Sequence, residues 1–239
     1  MKYFYDLHIH TALSPCADVL MSPNNILNMA MLKELNIIAI TDHNSCLQLD
    51  VIEELKESYE MLVVPGAEIE VKEKYHVVCL FASFEEARRF QKEIESYLHK
   101  TMHDEVMYGE QHLFDVFDDI VNQYQVSLMG SSNIGLLQLR HMMNQYQGIM
   151  ILAHIEKYSS DIFEKLHTIY QDIFDAIEVN ANTNIEIFNH QLESLEYKIL
   201  RNSDAHQIID ISEPVHTIEL EDLTIESLFK AIKGKRNHG

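Results

Sequence analysis

The chain has 239 residues, of which 46% are hydrophobic and 23% are charged, so it can form a sizeable core and is not disordered throughout. Its 18 Lys and Arg against 38 Asp and Glu give a formal net charge of -20, which disfavours broad binding to duplex DNA or to an anionic membrane. The chain also contains 14 His, and His, Asp and Glu are common ligands of metal ions in proteins.

Short apolar segments alternate with helical patterns along the chain. The predicted strands are Tyr3 to Ile9, Ile37 to Ile40, Met61 to Val71, Tyr75 to Phe81, Gly148 to Ala153, Ala176 to Val179, Lys198 to Asn202 and His216 to Leu220. The predicted helices are Pro23 to Leu35, Cys46 to Tyr59, Phe84 to His99, Asn133 to Tyr146, Ser160 to Tyr170, Thr183 to Leu195 and Thr224 to Lys233. This alternation predicts an α/β fold with parallel strands, in which roughly seven strand and helix pairs form a closed or nearly closed barrel.

The segment from Thr101 to Asn133 interrupts this alternation. It is rich in Tyr, Met and Asp, and it predicts a helical insertion after the fourth strand that serves as a lid or cover for one side of the site. With only 7 Gly and 4 Pro in the chain, no linker stands out. We therefore expect a single domain over residues 1–239.

Several features predict a cytoplasmic protein. The first residues carry no basic segment followed by a long apolar stretch, and no apolar run approaches the ~18 residues of a membrane span. The three Cys are an odd number without paired spacing, as is typical of a reducing compartment. Nothing in the sequence marks a base beside Cys16 or Cys46, so no catalytic role is predicted for either.

Histidines and carboxylates stand where the predicted strands end. His8 and His10 end the first strand, and because residues two apart on a strand project to the same face, both can reach one metal. Asp42 and His43 follow the second strand. Glu68 lies in the otherwise apolar third strand, where an unpaired carboxylate would be costly, so it requires a cationic partner.

The remaining strands add further ligand types. Glu70 shares a face with Glu68, and the earlier carboxylate is favoured as the ligand. The other candidates at strand ends are His76, His154, Asp204 and His206. Six of the 14 His therefore lie at the edge where α/β barrels build active sites. Imidazole with carboxylate suits Zn, Mn or Fe, and more than four ligands imply more than one ion, which is typical of phosphoester hydrolysis.

Taken in order, these motifs resemble the PHP family, named for polymerase and histidinol phosphatase. The resemblance rests on His8-x-His10, Thr41-Asp42-His43, Glu68, His76, His154 and Asp204-x-His206, and extends from Asp6 to about His216. The run Ser14-Pro15-Cys16-Ala17-Asp18, followed by Met21-Ser22-Pro23 and Thr41-Asp42-His43-Asn44, is similar to the small bacterial metal-dependent phosphoesterases. The resemblance implies a distorted (β/α)7 barrel that holds three metal ions.

By position, the resemblance also implies which residues hold each ion. The first ion would be held by His8, His10, Glu68 and Asp204, the second by Glu68, His76 and His154, and the third by Asp18, His43 and His206. Relatives place either His or Asp at the position of Asp18, and this chain has extra residues between His10 and that position. Asp42 is expected to orient a ligand, because metal-bound imidazoles usually donate their other N–H to such a group.

The implied reaction is hydrolysis, in which a hydroxide bridging the metals at the trinuclear site attacks phosphorus in line while the ions neutralise charge on the phosphoryl oxygens. Glu68, His43, His206 and Asp204 are the expected catalytic residues. Lys157 is a candidate phosphate contact, although a surface lysine is the commoner explanation. We expect small phosphomonoesters or nucleotide phosphoesters as substrates, and neither an extended duplex nor a membrane as a partner.

Three other functions are compatible with the sequence. A histidinol-phosphate phosphatase would need pocket residues for an imidazole and an amine, which the sequence does not identify. A single-strand exonuclease would need a site that accepts one or two nucleotides, and the charge of -20 does not exclude such a site. A non-catalytic metal-binding module is disfavoured by the complete ligand set, and the oligomeric state cannot be read from the chain.

Overall fold

The computed structural model describes residues 1–234. Its strands are β1 (Lys2–Ile9), β2 (Ile37–Ile40), β3 (Leu62–Glu70), β4 (His76–Leu80), β5 (His112–Phe114), β6 (Ile120–Gln123), β7 (Ile149–Leu152), β8 (Ala176–Asn180), β9 (Lys198–Asn202) and β10 (Thr217–Glu219). Its α-helices are α1 (Pro23–Leu32), α2 (Leu49–Leu55), α3 (Phe84–Ile94), α4 (Glu105–Tyr108), α5 (Leu136–Gln145), α6 (Asp161–His167), α7 (Asn189–Ser194) and α8 (Ile225–Lys233). Short 3₁₀ helices lie at Lys56–Ser58, Ile155–Lys157, Ile185–Phe188 and Ile208–Asp210. The single domain over residues 1–239 stays a prediction, and its last five residues lie outside the described part.

Eight strands form one sheet in the order β10-β1-β2-β3-β4-β7-β8-β9, and all eight strands predicted from the sequence are among them. Neighbours pair in parallel from β1 to β3 and from β7 to β9, as predicted. The expectation of parallel strands is wrong for β4, which is antiparallel to both β3 and β7, and for β10, which is antiparallel to β1. A parallel neighbour needs a crossover of about a dozen residues or more, and the link from Glu70 to His76 is too short for one.

This reversal brings His76 to the edge of the sheet that is formed by the carboxyl ends of the parallel strands. In the β3 and β4 hairpin, Glu70 pairs with His76 and Glu68 pairs with Val78. The first residue of β4 therefore lies beside the last residues of β3, and His76 reaches the carboxyl-end edge although it begins its strand.

The sheet curls until β9 reaches β1. The amide of Leu7 donates to Asn202 Oδ1 at 2.9 Å, and the amide of His10 donates to the carbonyl of Ala205 at 3.0 Å. An isolated parallel bridge joins Ile9 to Ala205. Seven strands thus form a ring, with β10 added outside β1, and the predicted distorted (β/α)7 barrel is confirmed.

One hydrophobic cluster fills the inside of the ring. Its buried residues from the sheet are Tyr5, Leu7, Ile37, Ala39, Val64, Val78, Leu80, Ile149, Ile151, Ala176, Leu200 and Ile218. Helix α8 packs against the same cluster through Leu228, Phe229 and Ile232. Glu68 lies four residues after Val64 and Glu178 two residues after Ala176, so both acids project from the faces that line this interior.

The predicted helices are present but shorter than the sequence suggested. Helix α1 begins at Pro23 after Ser22, as predicted, and ends at Leu32 rather than Leu35. Glu34 adopts a positive φ of 56°, which cannot continue a right-handed helix. The segment predicted as one helix from Thr183 to Leu195 is a 3₁₀ turn followed by the short α7.

The prediction that residues 101–133 are helical is wrong for most of that segment. Only the four residues of α4 form an α-helix, and β5 pairs with β6 as a hairpin. The physical reason lies in its Asp residues, whose side chains bond the backbone in competition with helix. Asp115 Oδ1 accepts from the amides of Phe117 and Asp119 at 2.8 and 3.0 Å, and Asp118 adopts a φ of 63°.

Within residues 1–234, the helices are all too short or too polar to span a bilayer. The predicted cytoplasmic location stays a prediction.

Candidate metal centre

Nearly every predicted ligand lies at one end of the barrel. His8 stands near the end of β1 and His10 directly after it. His43 follows β2, and Glu68 lies two residues before the end of β3. The other ligands come from the start of β4 and from the residues after β7 and β9, namely His76, His154, Asp204 and His206. Parallel strands of a barrel bring their carboxyl ends to one edge, and the hairpin adds His76 to it.

The first group contains His8, His10, Glu68 and Asp204, whose ligand atoms all lie within 4.8 Å of one another. His8 Nε2 is 3.1 Å from His10 Nε2, 3.3 Å from Glu68 Oε1 and 3.5 Å from Asp204 Oδ1. The three residues other than Asp204 are fully buried, and the Asp204 side chain is 9% exposed. This group is the one that the sequence predicted for the first ion.

Glu68 also stands at the centre of a second group with His43 and His76. Its Oε2 lies 2.8 Å from His43 Nδ1, and its Oε1 lies 3.0 Å from His76 Nδ1 and 3.1 Å from His154 Nε2. The two carboxylate oxygens of Glu68 therefore face different imidazoles. Such an arrangement allows one carboxylate to bridge two ions.

His10, His43 and His206 form a third group within 4.8 Å. His154 is outside all three groups, although its Nε2 lies 3.1 Å from Glu68 Oε1, and so is Asp18. The side chain of Asp18 is exposed, and its Oδ1 accepts a hydrogen bond from the amide of Leu20 at 2.8 Å. Eight of the nine predicted ligands converge, and the carboxylate of Asp18 does not join them.

Attraction to neighbouring imidazoles keeps the carboxylates of Glu68 and Asp204 ionised. Burial alone would raise the pKa of Glu68, but neighbouring imidazoles, led by His8, hold it well below its usual range. Burial opposes a positive charge on His8, yet the carboxylates of Glu178 and Glu68 raise its pKa well above normal. Burial likewise acts against the Asp204 carboxylate, and His8 and His10 still lower its pKa strongly. The centre is thus rich in negative carboxylate oxygens suited to cations.

The side chain of His8 is held in place by Glu178, a residue that the sequence analysis missed. Its Nδ1 lies 2.9 and 3.0 Å from the two oxygens of Glu178, which is fully buried. Since an ionised carboxylate only accepts, Nδ1 carries the proton, and in the neutral ring Nε2 offers a lone pair to the first group.

His10 is oriented in the same way by Ser14 and Asp42. Its Nδ1 lies 3.0 Å from Ser14 Oγ, and Ser14 Oγ donates to Asp42 Oδ1 at 2.7 Å. Because the hydroxyl proton goes to Asp42, Ser14 accepts from His10 Nδ1–H and leaves Nε2 as a lone pair. Asp42 therefore contacts this imidazole only through Ser14.

The PHP domain family matches residues 6–190 of this chain. The chain belongs to the PHP family. PHP proteins are hydrolases, and the phosphoesterases of the family depend on metals.

Individual PHP relatives are distant. A Methanocaldococcus jannaschii protein called uncharacterized protein MJ0043 is 32% identical over 118 residues, which are 48% of this chain and 15% of that protein. The lesion-specific endonuclease EndoQ of Pyrococcus furiosus superposes with a TM-score of 0.72 at 20% identity, covering 98% of this chain and 56% of that one. This chain thus spans about half the length of that endonuclease and a small part of the first relative.

Two further structures share the fold. Endonuclease Q bound to a 27-mer duplex with an abasic lesion at its active site has a TM-score of 0.64 at 20% identity, over 98% of this chain and 57% of that one. A Bifidobacterium adolescentis protein proposed to be a metal-dependent phosphoesterase has a TM-score of 0.57 at 17% identity, over 95% of this chain and 94% of that one. At these identities the likeness concerns the fold alone.

The donor set of this PHP chain fits divalent cations. His8 Nε2 and His10 Nε2 face each other at 3.1 Å, and the hydrogen bonds of the opposite ring nitrogens leave a lone pair on each. Glu68 Oε2 and His76 Nδ1 are buried and make no hydrogen bond. Lone pairs and carboxylate oxygens converging in a dry site need a positive charge between them, and mixed nitrogen and oxygen donors suit Zn, Mn or Fe.

The backbone at this PHP site is locally strained. His154 has φ 33° and Asp204 has φ 54°, so two of the ligands adopt the left-handed region that non-glycine residues rarely occupy. Each such residue costs about 1–3 kcal/mol and persists only where the surroundings enforce it. At both positions a strand ends and the chain turns the side chain inward, toward Glu68 and His8.

Asn44 links the insertion to the site. Its Nδ2 donates to the carbonyls of Leu128 and Gly130 at 2.8 and 3.1 Å, and its Oδ1 accepts from the amide of Glu70 at 3.2 Å. On its other side the insertion contacts the loop after β1, where the amide of His112 donates to the carbonyl of Ala12 at 2.8 Å. The predicted lid role stays a prediction.

The centre opens into a cavity of about 310 Å³. Its lining residues are His43, Glu68, Lys74, His76, His154, Lys157, Tyr158, Asp204 and His206. Lys157 Nζ donates to Asp204 Oδ2 at 2.8 Å, so this lysine lies beside a predicted ligand rather than on a remote surface. The cavity has the size of a small-molecule site.

Sequence reasoning also gave no indication of what surrounds Cys16. This exposed residue lies in the loop after β1, and its sulfur is not among the groups of ligand atoms that lie within 4.8 Å of one another. Although burial opposes it, the imidazoles of His206 and His43 lower the pKa of the Cys16 thiol to about 6. Imidazoles therefore do stand beside this thiol, although only the fold brings them there.

Proposed function

We propose that this PHP protein hydrolyses small phosphomonoesters or nucleotide phosphoesters at a site of three divalent ions. The observation that carries the proposal is the sharing of donors among three groups that meet at the mouth of one small cavity. Glu68 belongs to two of the groups, and His10 and His43 each belong to two. Shared donors bring neighbouring ions close together, as in two-metal phosphoester hydrolases.

In this proposal the first ion is held by His8, His10, Glu68 and Asp204, and the second by Glu68 with His76 and His154. His43 and His206 hold the third. Zn, Mn or Fe are the ions that fit these donors. Their binding requires neutral imidazoles, so it would displace a proton from His8, whose pKa is raised, while Nδ1 of His8 and of His10 would keep its proton through Glu178 and Ser14.

Bound ions would supply a nucleophile near neutral pH and offset the charge on the phosphoryl oxygens. Glu68, Asp204, His43 and His206 are the proposed catalytic residues, because they would contact those ions directly. Lys157 lies on the cavity wall next to Asp204, where its ammonium would contact a phosphate oxygen of the substrate.

Two properties favour a small substrate over a duplex. The cavity of about 310 Å³ suits one phosphate ester, and the net charge of -20 repels a long polyanion. The likeness to endonuclease Q, whose structure holds a duplex, supports the opposite reading. This chain, however, corresponds to 57% of that chain, so duplex cleavage enters the test as a rival outcome.

The test uses metal-depleted protein reloaded separately with Zn²⁺, Mn²⁺ and Fe²⁺. Each preparation is assayed on phosphomonoesters, mononucleotides, histidinol phosphate, a short single-stranded oligonucleotide and a duplex with an abasic site. We expect metal-dependent turnover of small esters or nucleotides, abolished by Glu68→Gln. The matched control is Glu70→Gln on the same strand, which should retain most of the activity.

Other outcomes would assign a different function. Preferential cleavage of the duplex would favour an endonuclease. Preferential release of phosphate from histidinol phosphate would favour a histidinol-phosphate phosphatase. Preferential release of nucleotides from the end of the oligonucleotide would favour a single-strand exonuclease. Protein that binds metal but turns over none of these substrates would contradict the proposal and favour a metal-binding module.

A further inference from the structure

Asp6 is a buried carboxylate that the proposed reaction does not use. It lies on β1, two residues before His8, and it is fully buried. Its Oδ1 accepts from the amide of Ser203 at 3.0 Å, and its Oδ2 accepts from the amide of Ser212 at 2.9 Å. A carboxylate away from solvent is tolerated only when its oxygens find such donors. The side chain of Asp6 is therefore tied to the backbone of one segment far along the chain.

The two amides stand at the ends of the segment 203–212, which follows β9. This segment carries Asp204 of the first group and His206 of the third group. A single carboxylate thus joins the start of the segment to its end. Closing a loop in this way lowers the number of conformations that are open to the residues between its ends. Both ligands lie between those ends.

The backbone of the segment gives a second observation. Asp204 has a φ of 54°, a conformation that a non-glycine residue keeps only where its surroundings enforce it. The amide of Ser203, directly before it, is held by Asp6, and the amide of Ala205, directly after it, donates to the carbonyl of His8 at 3.2 Å. Hydrogen bonds to β1 on both sides therefore hold the strained residue.

The segment also bonds the loop that follows β1. The carbonyl of Ala205 accepts from the amide of His10 at 3.0 Å, and the carbonyl of His206 accepts from the amide of Asp18 at 2.8 Å. Neither of these hydrogen bonds involves Asp6. The amides of His10 and Asp18 therefore report whether the segment stays in place when the carboxylate of Asp6 is changed.

We propose that Asp6 is a positioning residue, which closes the segment 203–212 and thereby brings Asp204 and His206 to the metal centre. The assignment rests on the proposed function, because those two side chains are proposed ligands there. Asp6 acts through two backbone amides, and neither substrate nor an ion needs to touch its carboxylate.

One part of the centre does not depend on the segment. The ion proposed between Glu68, His76 and His154 uses side chains from β3, from β4 and from the residue after β7. Loss of the closure should therefore weaken the two ions that need Asp204 or His206 and leave this ion bound.

The experiment compares wild type with Asp6→Asn, Ser212→Pro and the control Asp175→Asn. Asp6→Asn keeps the shape of the side chain but replaces one acceptor by an N–H₂ group. Ser212→Pro removes only the amide that bonds Oδ2, and Ile211 before it already has the extended ψ of 133° that a following proline favours. Asp175 also accepts from a backbone amide, that of Met150 at 2.8 Å, but it precedes β8, away from the metal centre.

Three measurements are made on each full-length variant. Hydrogen exchange in the metal-free protein, read at the amides of His10 and Asp18, reports whether the segment stays against β1. Titration with Zn²⁺ and elemental analysis give the affinity and the number of ions bound per chain. Urea unfolding gives the global stability separately, so that a general loosening of the barrel can be recognised.

In Asp6→Asn and Ser212→Pro we expect exchange at both amides to be about tenfold faster, which is the effect of losing one hydrogen bond. Two ions should bind about 10–100-fold more weakly, as when a residue that orients a metal ligand is lost, and one ion should bind as in wild type. Asp175→Asn should lower the urea midpoint without either change. Unchanged exchange in both variants would overturn the inference, and so would an equal loss of ions in Asp175→Asn.

Failure of this inference can be told from failure of the proposed function. If exchange at His10 and Asp18 is unchanged in both variants while the reloaded wild type hydrolyses phosphoesters, only the role of Asp6 is wrong. If wild type binds no Zn²⁺ and hydrolyses no phosphoester, the proposed function is wrong, and the exchange rates still decide whether Asp6 closes the segment.

Discussion

Glu178 holds His8 through both of its carboxylate oxygens, at 2.9 and 3.0 Å from Nδ1. The same carboxylate accepts from Asn202 Nδ2 at 2.7 Å and from the amide of His154 at 3.2 Å. One buried acid on β8 therefore connects β1, β9 and the residue after β7. A buried carboxylate is tolerated only when it is paired in this way, and here the pairing also fixes which nitrogen of His8 is free to bind metal.

We expect Glu178→Gln to lower metal affinity by about 10–100-fold, which is the usual cost of removing a carboxylate that orients a metal-bound imidazole. The amide would present an N–H₂ group either to His8 or to Asn202, which donates already. Isothermal titration with Zn²⁺ measures the loss. Glu186→Gln, an exposed substitution elsewhere on the chain, should bind as wild type does. Unchanged affinity in Glu178→Gln would mean that Glu178 serves only the packing of the barrel.

Ser14→Ala should weaken metal binding by releasing the tautomer of His10. Without the hydroxyl, Nδ1 loses its acceptor and the proton can move to Nε2, the nitrogen that faces His8. Nitrogen chemical shifts of labelled His10 report the tautomer directly, which a purely structural role would not alter. The control is Ser45→Ala, a buried hydroxyl that bonds the amide of Leu47. A tautomer unchanged in Ser14→Ala would contradict this role.

Much of the fold could be predicted because each barrel strand is a short apolar run with a polar end. The direction of β4 could not be predicted in this way, because apolar periodicity does not indicate the direction of a strand. Only the short link between Glu70 and His76 indicates the hairpin. The insertion was predicted to be helical although its Asp residues also favour turns. In the fold, Asp115 and Asp118 instead form the turn of the β5 and β6 hairpin.

The candidate centre was predictable where ligand types stand in recognisable motifs at strand ends. Asp42 was expected to orient a ligand, but Ser14 and Glu178 were missed, because they meet their histidines only after folding. A signal for Glu178 was present, since it is a carboxylate within an apolar strand, as Glu68 is. The position of Asp18 was misleading because spacing alone cannot show whether a loop side chain points inward or, as that of Asp18 does, lies exposed.

Gly66→Ala is expected to destabilise the protein by about 1–3 kcal/mol through overpacking. A Cβ at Gly66 would lie 2.8 Å from Leu80 Cδ2, 2.8 Å from Thr41 Cγ2 and 3.0 Å from the carbonyl of Cys79. Urea unfolding measures the loss as a lower midpoint. Gly234→Ala serves as the control, because its Cβ would meet neighbours only at 3.5 Å and beyond. Equal midpoints for the two variants would show that β3 can shift to accommodate the methyl group.

Metal loading should stabilise the folded protein, because the donor set exists only in the native state. At a free Zn²⁺ concentration of 100 times Kd, one site adds about 2.7 kcal/mol, or a rise of roughly 5–10 °C in Tm for a chain of this size. Differential scanning calorimetry with and without a chelator measures the shift. Glu68→Gln should show a smaller rise than Glu70→Gln. A Tm that does not respond to Zn²⁺ would argue that the cluster is held by hydrogen bonds alone.

Lys157→Met is expected to raise the KM for phosphoesters roughly tenfold while the metal content stays the same, since one hydrogen bond from a charged donor to a phosphate oxygen is lost. Lys157 lines the cavity and now donates to Asp204, so substrate phosphate would compete for its ammonium. Lys165→Met is the matched control, because that lysine pairs with Asp161 one helical turn away and does not line the cavity. If Lys157→Met instead lost bound metal and left KM unchanged, the lysine would act by positioning Asp204 and not by binding substrate.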